Sequence, residues 1–171
     1  FKTITSAHFV DLRTKTASRG AVDIEAARLR ESRGNMAFGL YGISPASGLS
    51  WKWWFMEKVG VQLVGFMSSN ENTAYNQLGG RLLFHLADKV MNDTTLTAYL
   101  AAGSGIHYAK TENGNATSTT IGEGALGLEA GFLNLYWSLE LGVEKRFETH
   151  TNGDANTDLT NMKAAAGVHY Y

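Results

Sequence analysis

From about Gly48 onward the chain alternates with a period of two, and the alternation sorts side chains by size as well as by polarity. In 48–56, Leu49, Trp51, Trp53 and Phe55 alternate with Ser50, Lys52 and Trp54. In 135–146, Leu135, Trp137, Leu139, Leu141 and Val143 oppose Tyr136, Ser138, Glu140, Gly142, Glu144 and Arg146. Period-two alternation marks strands whose two faces meet different surroundings. The sorting by size assigns the faces. The lumen of a small closed barrel is narrow and takes small residues with a few paired charges, leaving the bulky apolar residues to point outward.

Eight runs of this kind follow one another at 36–43, 48–55, 59–68, 75–87, 95–110, 119–132, 135–149 and 160–171. The shorter connections are 56–58, 88–94 and 133–134; 69–74, 111–118 and 150–159 are mostly longer and rich in Asn, Thr, Gly and Glu. Short turns at one end and polar loops at the other are the asymmetry of outer-membrane barrels, whose long loops are extracellular. The expectation is an all-β, closed, up-and-down antiparallel transmembrane barrel of eight strands, with its C-terminus on the periplasmic side.

The facing carries through the later runs. Leu78, Leu82, Phe84 and Leu86 oppose Gln77, Gly79, Arg81 and His85, while Leu96, Ala98, Leu100, Ala102, Ile106 and Tyr108 oppose Tyr99, Ala101, Gly103, Gly105 and His107. Leu126, Leu128, Ala130 and Phe132 oppose Glu123, Ala125, Gly127 and Glu129, and the last run sets Met162, Ala164, Ala166, Val168 and Tyr170 against Lys163, Ala165, Gly167 and His169. Only Lys110 and Lys145 bring charge to the bulky faces of these runs, both close to loop ends. An Arg or Lys facing lipid at the midplane costs about 2–4 kcal/mol, so a bilayer demands such an exclusion. In 59–68 the alternation puts Val64 and Phe66 on the lumen face, which predicts a bulge there.

Residues 1–33 are different. They carry 7 of the 15 basic residues, at Lys2, Arg13, Lys15, Arg19, Arg28, Arg30 and Arg33, and alternate only weakly. The segment 21–33 fits a short helix by composition and equally fits a strand, with Val22, Ile24 and Ala26 opposing Asp23, Glu25 and Ala27. If 1–12 paired with 21–30 the barrel would have ten strands. The division is therefore a basic arm or accessory segment, 1–33, and a barrel, 34–171.

Length and composition narrow the classes. At 171 residues the chain holds one domain. A formal net charge of −1 carries no nucleic-acid footprint, and the absence of cysteine excludes disulfides, thiolate metal sites and a cysteine nucleophile. No run reaches the roughly 18 apolar residues of a membrane helix, which leaves barrel strands untouched because their hydropathy signal is weak. Phe1 opens ordinary polar sequence with no signal peptide, so for an exported protein the numbering is expected to start after cleavage or later.

The chain resembles the small bacterial outer-membrane barrels of the OmpA/OmpX-like superfamily, over about 36–171. The residues that carry the resemblance are Gly48-Leu-Ser-Trp-Lys-Trp-Trp-Phe55 with Glu57-Lys58 and Val59-Gly-Val-Gln-Leu63, then Leu78-Gly-Gly-Arg-Leu-Leu-Phe-His85, and the terminal Gly167-Val-His-Tyr-Tyr171. Such proteins usually end in an outward-facing aromatic read by the barrel-assembly machinery. Here Val168 and Tyr170 hold the outward positions and Tyr171 points inward, a departure by one residue that places such an aromatic one position further on. The resemblance implies a Gram-negative outer-membrane location, with outer-membrane lipid and lipopolysaccharide as surroundings. It leaves activity open among adhesins, anchors, lipid-modifying enzymes and small pores.

The candidate lumen charge network is Lys52, Arg81, His85, Glu123, Glu129, Glu140, Glu144, Arg146 and Lys163, with His107 and His169 nearby. Near-equal numbers of the two signs favour a salt-bridged plug over an ion path. Arg81 is expected to pair with one or more of Glu123, Glu129, Glu140 and Glu144. A hydrolase needs Ser, His and an acid in register; Ser104 and His107 face opposite sides, and Ser138 with Glu140 has no His assigned. The loop 150–158 spaces Asn152, Asp154, Asn156 and Asp158 like a calcium loop, with Thr157 where Gly is needed and no distal Glu, so a solvated loop is preferred and no metal or cofactor is expected. Trp51, Trp53, Phe55, Phe132, Trp137 and Tyr170 form a candidate aromatic girdle at the short-turn end. Together these point to a non-enzymatic barrel with a structural or anchoring role, one that docks a protein partner of an envelope assembly through the arm or the loops. A lipid-modifying enzyme, a small pore and a soluble lipocalin-type barrel are the alternatives.

Overall fold

The computed structural model describes residues 35–42, 47–69, 73–91, 94–111, 116–132, 134–150 and 157–171. These form β1 (Met36–Gly42), β2 (Gly48–Trp54), β3 (Val59–Ser69), β4 (Ala74–Met91), β5 (Thr94–Lys110), β6 (Ala116–Phe132), β7 (Leu135–His150) and β8 (Thr157–Tyr170). Each strand pairs antiparallel with the next, and β8 returns to β1, so the sheet closes on itself as an eight-stranded barrel. β2 and β8 occupy both edges of β1, which leaves no place in the ring for the extra pair of the ten-strand alternative. The arm 1–33 and the loop residues Asn152, Asp154 and Asn156 lie outside the described residues.

Closure follows from the alternation. Ala37, Lys52, Leu83, Tyr99, Glu129, Ser138 and His169 are buried inside, whereas Phe38, Leu40, Leu126, Leu128, Trp137, Leu139 and Leu141 are exposed outside. The core therefore lies in the lumen and is mostly polar. Small residues there make room for large rings: a Cβ on Gly127 would run into the Tyr99 ring, and one on Gly131 into the Tyr136 ring. β2 opens on Gly48 at φ +137°, a conformation that side chains other than glycine rarely adopt.

Two local expectations are corrected. β3 pairs with β4 without interruption from Val59 to Ser69, so the run carries no bulge; Val64 is buried inside, and Phe66 follows it inward at the barrel mouth. The irregularity lies instead in β4, between His85 and Ala87. Leu86 is the additional residue, and beyond it the inward parity switches from odd to even, which turns Asp88 toward the lumen opposite the buried Thr97. β4 consequently runs on to Met91, and the supposed loop 88–94 shrinks to residues 92–93 between strands.

Candidate functional site

The inward registers of all eight strands bring the polar residues to one axis. Arg81, on β4, is the hub. Its guanidinium grips the Glu140 carboxylate of β7 with both terminal nitrogens, Nη1 donating to Oε2 at 2.7 Å and Nη2 to Oε1. Nη1 also reaches Glu123 Oε1 at 3.3 Å and the Tyr41 hydroxyl at 2.8 Å, while Nε and Nη2 donate to Gln62 Oε1 at 2.8 and 2.7 Å. Glu140 additionally accepts from the hydroxyls of Tyr41 at 2.9 Å and Tyr99 at 2.6 Å. Lys163 pairs with Glu123 and lies 3.8 Å from Glu140. Of the four expected carboxylates, then, Arg81 takes two. Glu129 pairs with Lys52, whose ammonium sits 5.5 Å over the Tyr99 ring, and Glu144 receives Arg146 at 2.6 Å.

Toward the short-turn end a neutral web continues from the hub. Gln62 Nε2 donates to Ser50 Oγ at 2.7 Å, and that hydroxyl lies 2.8 Å from His169 Nε2. Trp54 Nε1 donates to the Tyr171 hydroxyl at 3.1 Å, and this hydroxyl donates to Glu129 at 3.3 Å. Tyr171 thus points inward, its ring edge-on to Tyr136. His85 stands apart from the hub: its Nε2 is 2.6 Å from Asp88, which also accepts from Thr97 at 2.8 Å. His107 lies near the opposite mouth against Tyr75.

Lys52, Arg81 and Lys163 face Glu123, Glu129 and Glu140 with little or no solvent contact. Uncompensated charge in such a space costs several kcal/mol, whereas equal numbers of opposite charges with the remaining donors satisfied do not. The gap left beside Arg81, Tyr41, Val64 and Glu123 is about 10 Å³. A single water needs roughly 10–15 Å³, so this gap holds one water at most.

Ser50 and His169 do meet, but His169 Nδ1 has no hydrogen-bond partner among the described residues, so no acid completes that pair, and the pairs weighed from the sequence gain no catalytic geometry. Ser104 faces outward and His107 inward, as their spacing requires; the Ser138 hydroxyl has no hydrogen-bond partner among the described residues; and Glu140 is committed to Arg81. Among the described residues no group of His, Asp and Glu has the arrangement to hold a metal ion.

The girdle residues take the outer wall. Trp53, Phe55, Phe132, Trp137 and Tyr170 are exposed and Trp51 is half-buried; the Trp51 and Trp53 rings stack 6.3 Å apart, and Phe55 follows Trp53 at 5.6 Å. Phe38 joins the row, paired in register with Trp51 and Tyr170.

Several members of the network were not singled out from sequence. Tyr41 and Gln62 carry the correct parity within their strands, Tyr41 with Ala37 and Gly39, and are legible by alternation alone. Asp88 was not legible, because the bulge at Leu86 inverts the parity that would have revealed it. Compared with protein-family models, with curated proteins and with solved structures, the chain finds no match.

Proposed function

We propose that this protein is a non-enzymatic barrel of the bacterial outer membrane, akin to the OmpA/OmpX-like proteins, that serves as a closed structural or anchoring element. The observation that carries the reading is the inversion of polarity: exposed Leu, Phe and Trp cover the wall, while paired charges fill the interior. In water such a wall would be a large exposed apolar patch, and a ligand-binding soluble barrel would need an open apolar calyx where this one has ion pairs. In a bilayer the wall is at its ease. The narrow residual space around Arg81 favours an anchor over a pore, and the lack of a Ser-His-acid or metal arrangement among the described residues favours it over a lipid-modifying enzyme.

The experiment is cell fractionation with gel migration before and after heating. The reading expects the protein in the outer-membrane fraction, with an unheated form that migrates faster, and no stable conductance in planar bilayers. Recovery in the soluble fraction without a heat shift refutes it. Lipid A mass profiles unchanged by the protein's presence separate anchor from enzyme, and co-purification in mild detergent identifies what is anchored.

A further inference from the structure

β4 and β5 outrun their neighbours at the short-turn end. Asn35, Trp54, Gly60 and Leu83 stand in one row from β1 to β4, the Trp54 amide donating to the Asn35 carbonyl at 2.8 Å. Just past that row the chain turns over through 55–58 from β2 into β3. β4 instead continues to Met91. β5 accompanies it on one side, Ala87 pairing with Ala98 and Met91 with Thr94, but β3 has ended at Val59, opposite Phe84. On the β3 side the His85 amide still donates to the Lys58 carbonyl at 2.9 Å. Beyond it, along 87–91, no strand among the described residues lies on that side.

A strand edge presents a row of backbone donors and acceptors, a template for pairing with another extended segment. Here its side chains are sorted. Lys89 and Met91 point outward and are exposed, whereas Val90, after the parity switch at Leu86, points inward. The edge also faces the place where residues 1–34 join the barrel. Asn35 lies at the same end, on β1, and the side of β4 left by β3 is the side turned toward it.

We propose that residues 23–27 of the arm cover this edge as a short antiparallel strand, with Glu25 opposite Lys89 and Ile24 opposite Val90. The reach is sufficient. The crossing from Asn35 covers three strand spacings of ~4.8 Å and about four residues of strand, roughly 20 Å on the diagonal, and 28–35 spans ~26 Å when extended. The pattern agrees: directly opposite residues share a face, so Glu25 meets Lys89 outside, and Ile24 meets Val90 inside. The direction agrees too. A segment running antiparallel to β4 points the same way as β1, so the chain enters β1 without reversing. This short strand lies beyond the end of β3, outside the closed ring, and leaves the eight-strand closure untouched.

The chain has no cysteine, so an introduced pair reports on this register alone. Glu25→Cys with Lys89→Cys, in the full chain, is oxidised with copper phenanthroline, and the disulfide is read on a non-reducing gel and by mass spectrometry of its tryptic peptides. Residues directly opposite in a ladder stand ~5 Å apart, within a disulfide's reach, whereas a neighbour two residues off stands ~7–8 Å away, beyond it. The proposal expects an intramolecular disulfide from position 25 that forms at least about tenfold faster than one from Asp23→Cys with Lys89→Cys. Adding Ile24→Pro removes it while the circular dichroism of the barrel persists; should that variant unfold, the comparison of 23 with 25 decides alone. Equal rates from 23 and 25 mean a segment that passes near the edge without pairing, and overturn the proposal. A disulfide indifferent to Ile24→Pro, or no disulfide at all, overturns it as well. So does an intermolecular disulfide from Lys89→Cys formed in preference to the intramolecular one, which gives the edge to a second copy of the chain.

Discussion

Replacing Arg81 by Leu strips the lumen of its hub and leaves the interior with an excess negative charge. Glu140 loses two charge-assisted bonds, at Oε1 and Oε2, and Gln62 Oε1 loses both its donors. Breaking a buried pair from one side costs about 3–5 kcal/mol. The hydroxyls of Tyr41 and Tyr99 and the Lys163 ammonium remain near Glu140, and Glu123 keeps Lys163, so the loss belongs at the lower end, about 3 kcal/mol. With a urea slope of about 1–3 kcal/mol per molar, the midpoint falls by about 1–3 M. Glu140→Leu alone leaves Arg81 with only Glu123 as a counter-charge, at 3.3 Å, and costs a similar amount. Arg81→Leu combined with Glu140→Leu restores the balance of charge, and the double variant is expected to lose at least about 2 kcal/mol less than the sum of the singles. The assay is reversible urea unfolding from phospholipid vesicles, followed by tryptophan fluorescence and by the heat-shifted gel band. Additivity within about 0.5 kcal/mol refutes a coupled buried pair.

Leu128→Arg, on the outer wall, is expected to destabilise the reconstituted barrel by about 2–4 kcal/mol in the same unfolding assay, and an effect below 1 kcal/mol places Leu128 out of the hydrocarbon. Gly127→Val pushes side-chain atoms into the Tyr99 ring, so the folded fraction on a semi-native gel should drop sharply, while Gly122→Val, whose Cβ meets open space, should leave it unchanged. Deleting Leu86 removes the bulge yet keeps His85 and Asp88 inward, and the barrel should still assemble; deleting Leu82 instead reverses the facing of the preceding residues of β4 and should abolish the heat-shifted form. Equal outcomes for the two deletions contradict the register described for β4.

What was legible in the sequence was the part governed by a local rule. Period-two alternation located all eight strands within a few residues, because each strand feels lumen on one side and a different medium on the other, whatever its neighbours are. The same rule placed Lys52, Arg81, Glu123, Glu129, Glu140, Glu144, Arg146 and Lys163 inside, but it carries no information on which strands sit across the lumen from one another. That Arg81 takes Glu140 and Glu123 while Lys52 takes Glu129 depends on closure and on the stagger between strands, which no single run encodes. In the sequence Phe66 stands out as a defect, because an apolar residue on the lumen face breaks the size rule. The ladder there is regular, and Phe66 stands above the charged layer, at the mouth. Asp88 was hidden for the opposite reason: one additional residue, Leu86, inverted the parity just before it.

The central claim is that the face bearing Trp137 meets lipid and the face bearing Trp54 does not. The chain has 4 tryptophans, so variants retaining only Trp137 or only Trp54 isolate the two faces. Each is reconstituted in vesicles of phosphatidylcholine brominated along the acyl chain, and its fluorescence is compared with that in unbrominated vesicles. The account predicts strong quenching of Trp137, which is exposed on the wall, and little quenching of Trp54, which is turned inward and bonded to Tyr171. Equal quenching of the two, or none of Trp137, contradicts it.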